Sequence, residues 1–342
     1  MAVVGDRLVT LLDVSRKTKN KAIGDVAEVL VQKNAMLIDM PYQEMNEGTQ
    51  HTEEIRSALP EVFYRRVNEA IPASKTTTEE RSFGAAHVES KSQMDELVAK
   101  RGGEQNIGYN RWNQAQGHLQ AHSLELAKLM VYGSPISSPR KTPGFFDYYA
   151  TVNTATDETA KQVIDAGGTG SDNTSILLAN WGPRNMFGIY PAGTDHGIQR
   201  IDRSPNSQKV QIQAIDIRGN QGSFWGYEEN FILDHGLVVK DYRQGGRICN
   251  IDVLNLKSGN AAADLFDMLI SLVYKIDSIE DGTPVLYVNR TLQAFLHKQS
   301  RTTVGAGAGL TYQNYQGKPV LTFLDIPIRR SDAILNTEAR VV

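Results

Sequence analysis

Residues 52 to 67 read TEEIRSALPEVFYRRV and residues 75 to 89 read KTTTEERSFGAAHVE, joined by NEAIPAS around Pro72. The run Thr76, Thr77, Thr78 and the aromatic-rich Val62, Phe63, Tyr64 favour strand, so the stretch from about His51 to Glu89 predicts a long β-hairpin. Its charges are the unusual feature. Arg65, Arg66, Glu79, Glu80 and Arg81 occupy both alternating faces, which leaves neither face apolar enough to cover a core. At ~3.3 Å per residue, twelve paired residues reach about 40 Å, and an isolated two-stranded ribbon is marginally stable in water. Such a ribbon needs a surface to lie on, either a neighbouring subunit or its own domain.

Upstream, residues 22 to 38, AIGDVAEVLVQKNAMLI, set Ile23, Val26, Ala27, Leu30, Val31 and Met36 on one helical stripe, and Pro41 closes the segment. The basic residues Arg16, Lys17, Lys19 and Lys21 before it are either a phosphate contact or a solvated arm. Downstream, a short helix is expected from about Lys91 to Arg101. A longer one follows from about Asn106 to Tyr132, where Trp112, Ala115, Leu119, Leu126 and Met130 recur at helical steps before Gly133 and Pro135. At ~1.5 Å per residue it is roughly 40 Å long. A hairpin and a helix of matching length imply a plate-like subunit.

Residues 134 to 175 are rich in Ser, Pro, Gly and Thr and read as connecting loops. Strands are expected at Ser175 to Trp181, Met186 to Tyr190, Val210 to Ile217, Phe224 to Asp234, Leu237 to Tyr242 and Arg247 to Val253. A core helix over Ala261 to Ile276, capped by Asn260, a strand PVLYV (284 to 288), a helix Arg290 to Ser300, and strands near Tyr312 and Val320 to Phe323 make the last eighty residues a compact α+β unit.

The chain has 342 residues, 36 Lys+Arg against 39 Asp+Glu and a net charge of -3, so no global basic surface points to nucleic acid. Its size permits roughly two or three domains. No apolar run approaches the ~20 residues that span a bilayer, and Met1 to Thr10 lacks a basic-then-apolar signal, so it reads as soluble and unsecreted, with no membrane partner. The single cysteine, Cys249, excludes an internal disulfide and fits a reducing compartment.

Catalytic patterns are hard to find. His118 and His122 lie four apart on the long helix, a spacing that serves one metal, but Leu119 stands where a zincin has its Glu, and two histidines on a packed helix are the simpler reading. GGTG (167 to 170) and GAGAG (305 to 309) lack dinucleotide-fold or P-loop spacing. Cys249 falls in the apolar strand RICNID and reads as an inert thiol. The adjacent pairs Glu53-Glu54, Glu79-Glu80 and Glu228-Glu229 point to opposite faces of a strand. No catalytic, cofactor-binding or metal residue is therefore assigned, and no cofactor is expected.

The segments NRWNQAQ and AKLMVYG within 110 to 133, SILLANWGPRNMFGIYP (175 to 191), HGLVVKDYRQGGRICNIDV (235 to 253), PVLYVNRTLQAFL (284 to 296) and LTFLDIPIRRSDAILNTEARV (321 to 341) span most of the chain. In their number and order they resemble the tailed-phage major capsid proteins of the Hong Kong 97 fold, and more closely the epsilon-15-like capsid proteins of short-tailed phages. The resemblance implies an α+β fold with an N-terminal arm at 1-52, an extended β-hairpin loop at 53-89, a peripheral domain at 90-257 with a spine helix at about 106-132, and an axial domain at 258-342. Because the strand-rich counterpart at about 224 to 257 precedes the axial-looking unit, it also implies the permuted topology of Bordetella-type phage capsids.

The resemblance further implies a major capsid protein whose pentamers and hexamers close an icosahedral shell around double-stranded DNA, assembled in the bacterial host cytoplasm and located in the virion. The chain itself is then the principal partner, with separate scaffolding, portal and decoration or cement proteins, and non-specific contact with packaged DNA on the inner face. Arg65, Arg66, Lys75 and Arg81 are the expected intersubunit contacts. No residues match the Lys-Asn cross-link of the fold's namesake. An encapsulin-like non-viral shell and a metal-dependent hydrolase around His118 and His122 are the alternative readings.

Overall fold

The computed structural model describes residues 35–100, 104–155, 157–204, 208–215, 220–258, 264–302, 310–315 and 318–342. The basic residues at 16 to 21, most of the helix expected over 22 to 38, Asn260 and the 305 to 309 glycines lie outside them. The described chain begins with helix α1 (Ala35–Asp39) and strand β1 (Tyr42–Glu44). Then come β2 (Gln50–Ala58), β3 (Thr77–Gly84), β4 (Ala86–Asp95), a single helical turn α2 (Glu96–Ala99) and the long helix α3 (Ile107–Tyr132). The α3 stripe is as expected, with Ala115, Leu119, Leu126 and Met130 buried, and Gly133 N–H bonds the Leu129 carbonyl to end it.

The short helix expected from Lys91 to Arg101 is a correction: this segment is strand through Asp95 and helical only at Glu96–Ala99. Ala86 to Asp95 hydrogen-bonds along its whole length to β10 (Gln221–Val239), and ten paired residues outweigh one helical turn. β10 is itself one strand of 19 residues where two were expected. Gly236 sits at the expected break and permits close approach, since a Cβ there would run into the Gly84 carbonyl.

Helix α4 (Phe145–Tyr148), β5 (Val163–Asp165), β6 (Asn173–Trp181), β7 (Met186–Tyr190), β8 (Gln199–Asp202) and β9 (Val210–Ile215) precede β10. After it come β11 (Gly245–Asp252), α5 (Val253–Ser258), α6 (Leu265–Val273), β12 (Thr283–Val288), α7 (Arg290–Thr302), β13 (Leu310–Tyr315), β14 (Lys318–Phe323) and β15 (Ile326–Arg330). Within the described residues α6 starts at Leu265, where the Asp264 carboxylate accepts from the N–H groups of Phe266 and Asp267.

One mixed sheet, ordered β13-β14-β15-β12-β6-β7-β10-β4 with β11 beside β6 and β5 beside β11, carries the molecule. Every residue of β6 is buried, as its unbroken run SILLANW anticipates for a strand covered on both faces. Leu177, Ala179 and Trp181 join Val285 and Tyr287 of β12 in a core with α1, α3 and α4. Ile176 and Leu178 join Leu286 and Val288 in the opposite core, with α6 and α7. The last eighty residues thus share their sheet with residues 163 to 181 and 245 to 252.

Polar clamps fix the layers. Arg111 of α3 contacts Glu229 of β10 and lies 2.7 Å from Asp202 of β8, and Arg200 grips Glu229 through two bonds of 2.9 and 2.7 Å. Asp39 of α1 accepts from the Tyr287 hydroxyl at 2.8 Å and faces Arg329 at 3.2 Å. Burial raises its carboxyl to about 6 against the opposing pull of Arg329 and Tyr287.

Candidate intersubunit surface

β2 and β3 form a separate two-stranded antiparallel ribbon with Gln50 opposite Gly84 and Glu54 opposite Glu80. The paired strands are shorter than expected. Leu59-Pro60 and Pro72 cannot sustain a ladder, so residues 59 to 76 run as an irregular tip beyond Ala58 and Thr77.

The base of the ribbon is anchored to the body. His51 and Phe83 are buried, and the His51 ring meets Phe187 edge-on at 5.5 Å. Lys240 Nζ donates to Glu53 Oε2 at 2.6 Å, and His51 Nε2 lies 3.1 Å from the other carboxylate oxygen. Burial alone would raise the Glu53 carboxyl, but Lys240 and His51 hold it below the usual carboxylate range. Because both partners remain partly solvated, Lys240→Met is expected to lower global stability by about 1 kcal/mol or less. The same change should raise amide hydrogen exchange selectively in β2, which exchange mass spectrometry measures.

The tip has little holding it. Asn68 turns the chain at φ 70°, Arg66 N–H bonds Glu69 Oε2 at 2.8 Å, and Ser74 Oγ bonds the Glu61 carbonyl at 2.9 Å. Val62, Tyr64 and Val67 are 89%, 105% and 87% exposed, and Leu59 and Ile71 also face solvent. Scattered apolar residues on a surface are ordinary, but these five with Phe63 make six on one eighteen-residue projection and form an adhesive end. The aromatic-rich sequence read as strand, and the absence of any packed neighbour for it is what the sequence did not reveal.

Of the expected contacts, Arg65, Arg66 and Lys75 lie on this tip. Arg65 reaches only the Glu69 carbonyl, at 3.4 Å. Arg81 is separate from them on β3, opposite Glu53 in register and 3.9 Å from Glu79.

His118 and His122 converge on a hydroxyl: Ser90 Oγ of β4 lies 3.1 Å from His118 Nδ1 and 2.8 Å from His122 Nε2. His118 stacks on Phe231 at 5.4 Å, and burial, with His118 adding to it, lowers the His122 pKa. This arrangement docks α3 onto the sheet. Among the described residues no three His, Cys, Asp or Glu side chains gather as metal ligands. Cys249 is buried, and burial pushes its thiol up to about 11, away from nucleophilic thiolate.

A wide sheet clad by helices, a long helix along one face and a ribbon projecting past the body define a shell subunit of the Hong Kong 97 fold. The chain belongs to the major capsid protein GP7 family, whose model matches residues 18–342. It is similar over its whole length to a chain of the near-atomic cryo-EM structure of bacteriophage epsilon15, at 32% identity and TM-score 0.68, covering 100% of this chain and 99% of that one. More distant likenesses are the bacteriophage JBD30 capsid, at 10% identity, TM-score 0.47 and coverage of 96% and 99%, and the SrpI encapsulin complex of Synechococcus elongatus, at 8%, 0.37 and coverage of 62% and 85%. Neither of these two carries a functional argument. No curated protein matches the chain.

Proposed function

We propose that many copies of this capsid protein form pentamers and hexamers that close an icosahedral shell around the double-stranded DNA of a tailed phage. The observation that carries the proposal is the hairpin tip, whose apolar side chains find no cover in their own subunit and gain it on a neighbour. Arg65, Arg66, Lys75 and Arg81 are its charged contacts, each worth little alone and more when repeated by symmetry. Residues 53-89 are then the extended loop, 90-257 the peripheral domain and 258-342 the axial domain, in the permuted order, with β6 and β11 completing the axial sheet. Assembly in the host cytoplasm, separate scaffolding, portal and decoration proteins, and sequence-independent DNA contact belong to the same reading.

The triple change Val62→Ser, Tyr64→Ser, Val67→Ser tests it, since these exposed positions contribute little to folding. Size exclusion with light scattering and negative-stain microscopy should show shells from the natural chain and at least a tenfold smaller assembled fraction from the variant, at unchanged Tm. A variant that assembles like the natural chain overturns the role of the tip.

A further inference from the structure

The two helices over the second core present unlike flanks, one toward β5 and the other toward β15. The end of α6 is tied to the β5 edge, where Lys275 Nζ donates to the carbonyls of Lys161 and Val163 at 2.6 and 3.1 Å. The start of α7 is tied to the other side, where Arg290 and Arg330 both approach Asp332 Oδ2, at 3.6 and 3.1 Å, just past β15. In sheet order β12, β6 and β11 separate β15 from β5.

Their chemistry is complementary. Residues 264 to 281 carry five acids against Lys275, one of them, Asp277, paired with Arg243 at 2.8 Å, and residues 290 to 302 carry Arg290, Lys298 and Arg301 with no acid. On the solvent side of α6, Asp267, Ile270 and Tyr274 follow at steps of three and four, and Tyr274 is 80% exposed. On α7, Arg290 and Lys298 are exposed eight residues apart, with Lys298 Nζ 4.9 Å over the Phe295 ring. Asp267 and Tyr274 are separated by about 10 Å, Arg290 and Lys298 by about 12 Å, so the two stripes match in length. Two arginines share the single carboxylate of Asp332, so that cluster carries a net positive charge. A tyrosine face accepts a guanidinium or ammonium group by cation–π attraction, and Asp267 accepts one by charge.

We propose that the α6 flank of one copy docks on the α7 flank of a second copy. This contact rests on the shell reading and gives it a direction. Because the two patches differ, the contact is head-to-tail, and repeated head-to-tail contacts close into rings when the rotation per copy divides a full turn.

The test uses the full chain and three charge variants: Asp267→Arg, the pair Arg290→Glu with Lys298→Glu, and all three changes together. Each of the first two should reduce the assembled fraction at least tenfold at unchanged Tm, and the combination should restore it to within twofold of the natural chain. Tyr274→Ala, an exposed change that folding tolerates, should also reduce assembly, and the α7 reversal should not rescue it. Natural shells with unaffected flank variants, or folded single-flank variants that the combination fails to rescue, overturn this contact alone. A natural chain that never assembles, even with scaffolding protein co-expressed, overturns the shell reading and this contact together.

Discussion

Lowering the pH from 7 to 4 should destabilise the natural protein, and His235→Leu should remove about half of the histidine-linked part of that loss. His235 is a strand residue of β10, paired with Ala86 and 2% exposed, and its buried Nε2 has no hydrogen-bond partner. Beside it Tyr42 stands edge-on at 5.8 Å, and the His196 ring lies 3.9 Å from Tyr42, with its own Nδ1 buried and unpartnered. Burial, and to a lesser degree the neighbouring His196, pushes His235 down to about 3, and burial pushes His196 to about 4.

Both imidazoles are therefore neutral in the folded protein and basic in the unfolded chain. The stability they contribute is complete above pH 6.5 and declines as the pH falls from there towards 3 or 4. At about 1.4 kcal/mol per pKa unit, the distance from 6.5 to about 3 makes the whole His235 contribution roughly 5 kcal/mol, of which roughly 3 kcal/mol is lost by pH 4. Asp39 works in the opposite sense: raised to about 6, it adds stability as the pH falls through that value, in natural and variant chains alike. The difference between the two chains isolates the histidine. Leucine removes an unpartnered polar atom, so at pH 7 the variant should be at least as stable. Denaturation midpoints at pH 7, 6, 5 and 4 decide the matter; parallel profiles for the two chains refute the assignment.

The same histidine shows why part of the fold was hidden in the sequence. His235-Gly236 read as a break between two strands, because glycine usually interrupts one, yet here it lets β10 pass the Gly84 carbonyl and continue. Residues 91 to 95 read as helix because β4 lacks an apolar alternation: its inward residues include Ser90 and Ser92, whose neighbours are His118, His122 and Glu229 rather than a hydrocarbon core. β15 escaped notice because its turn uses Leu324 and Asp325 at φ 47° and 64°, without the glycine or asparagine that marks such turns. Where burial is apolar the reading was close, as in α3, expected over 106 to 132 and found at Ile107–Tyr132, and in β7, found at the expected Met186–Tyr190. The hairpin was legible as a projection from its two-faced charge. Its sticky end was not, since Val62, Phe63 and Tyr64 spell strand in any local reading, and only the tertiary arrangement leaves them uncovered.

Glu338→Ala should lower stability by roughly 3–5 kcal/mol, because it strands a buried guanidinium. Arg247 and Glu338 are 3% and 7% exposed and meet at 3.1 Å. Arg247 also bonds Ser175 Oγ and the Tyr149 carbonyl, each at 3.1 Å, with its guanidinium 3.5 Å over the Phe146 ring. Glu338 accepts from Ser175 at 2.5 Å and from Tyr132 at 2.8 Å, while its N–H bonds the Asn173 carbonyl at 2.9 Å. One carboxylate thus joins the end of α3, β6, β11 and the chain that follows β15. Burial raises the Glu338 carboxyl above its usual range against the pull of its donors, so the pair is held by mutual need more than by net gain. Two results follow from that. The single change should reduce Tm by roughly 10 °C at about 2–4 °C per kcal/mol, whereas Arg247→Met with Glu338→Leu should recover more than half of the loss, since neither charge is then left alone in the core. A double variant no more stable than Glu338→Ala would instead show that the ion pair itself, through its four elements, is what the fold cannot replace.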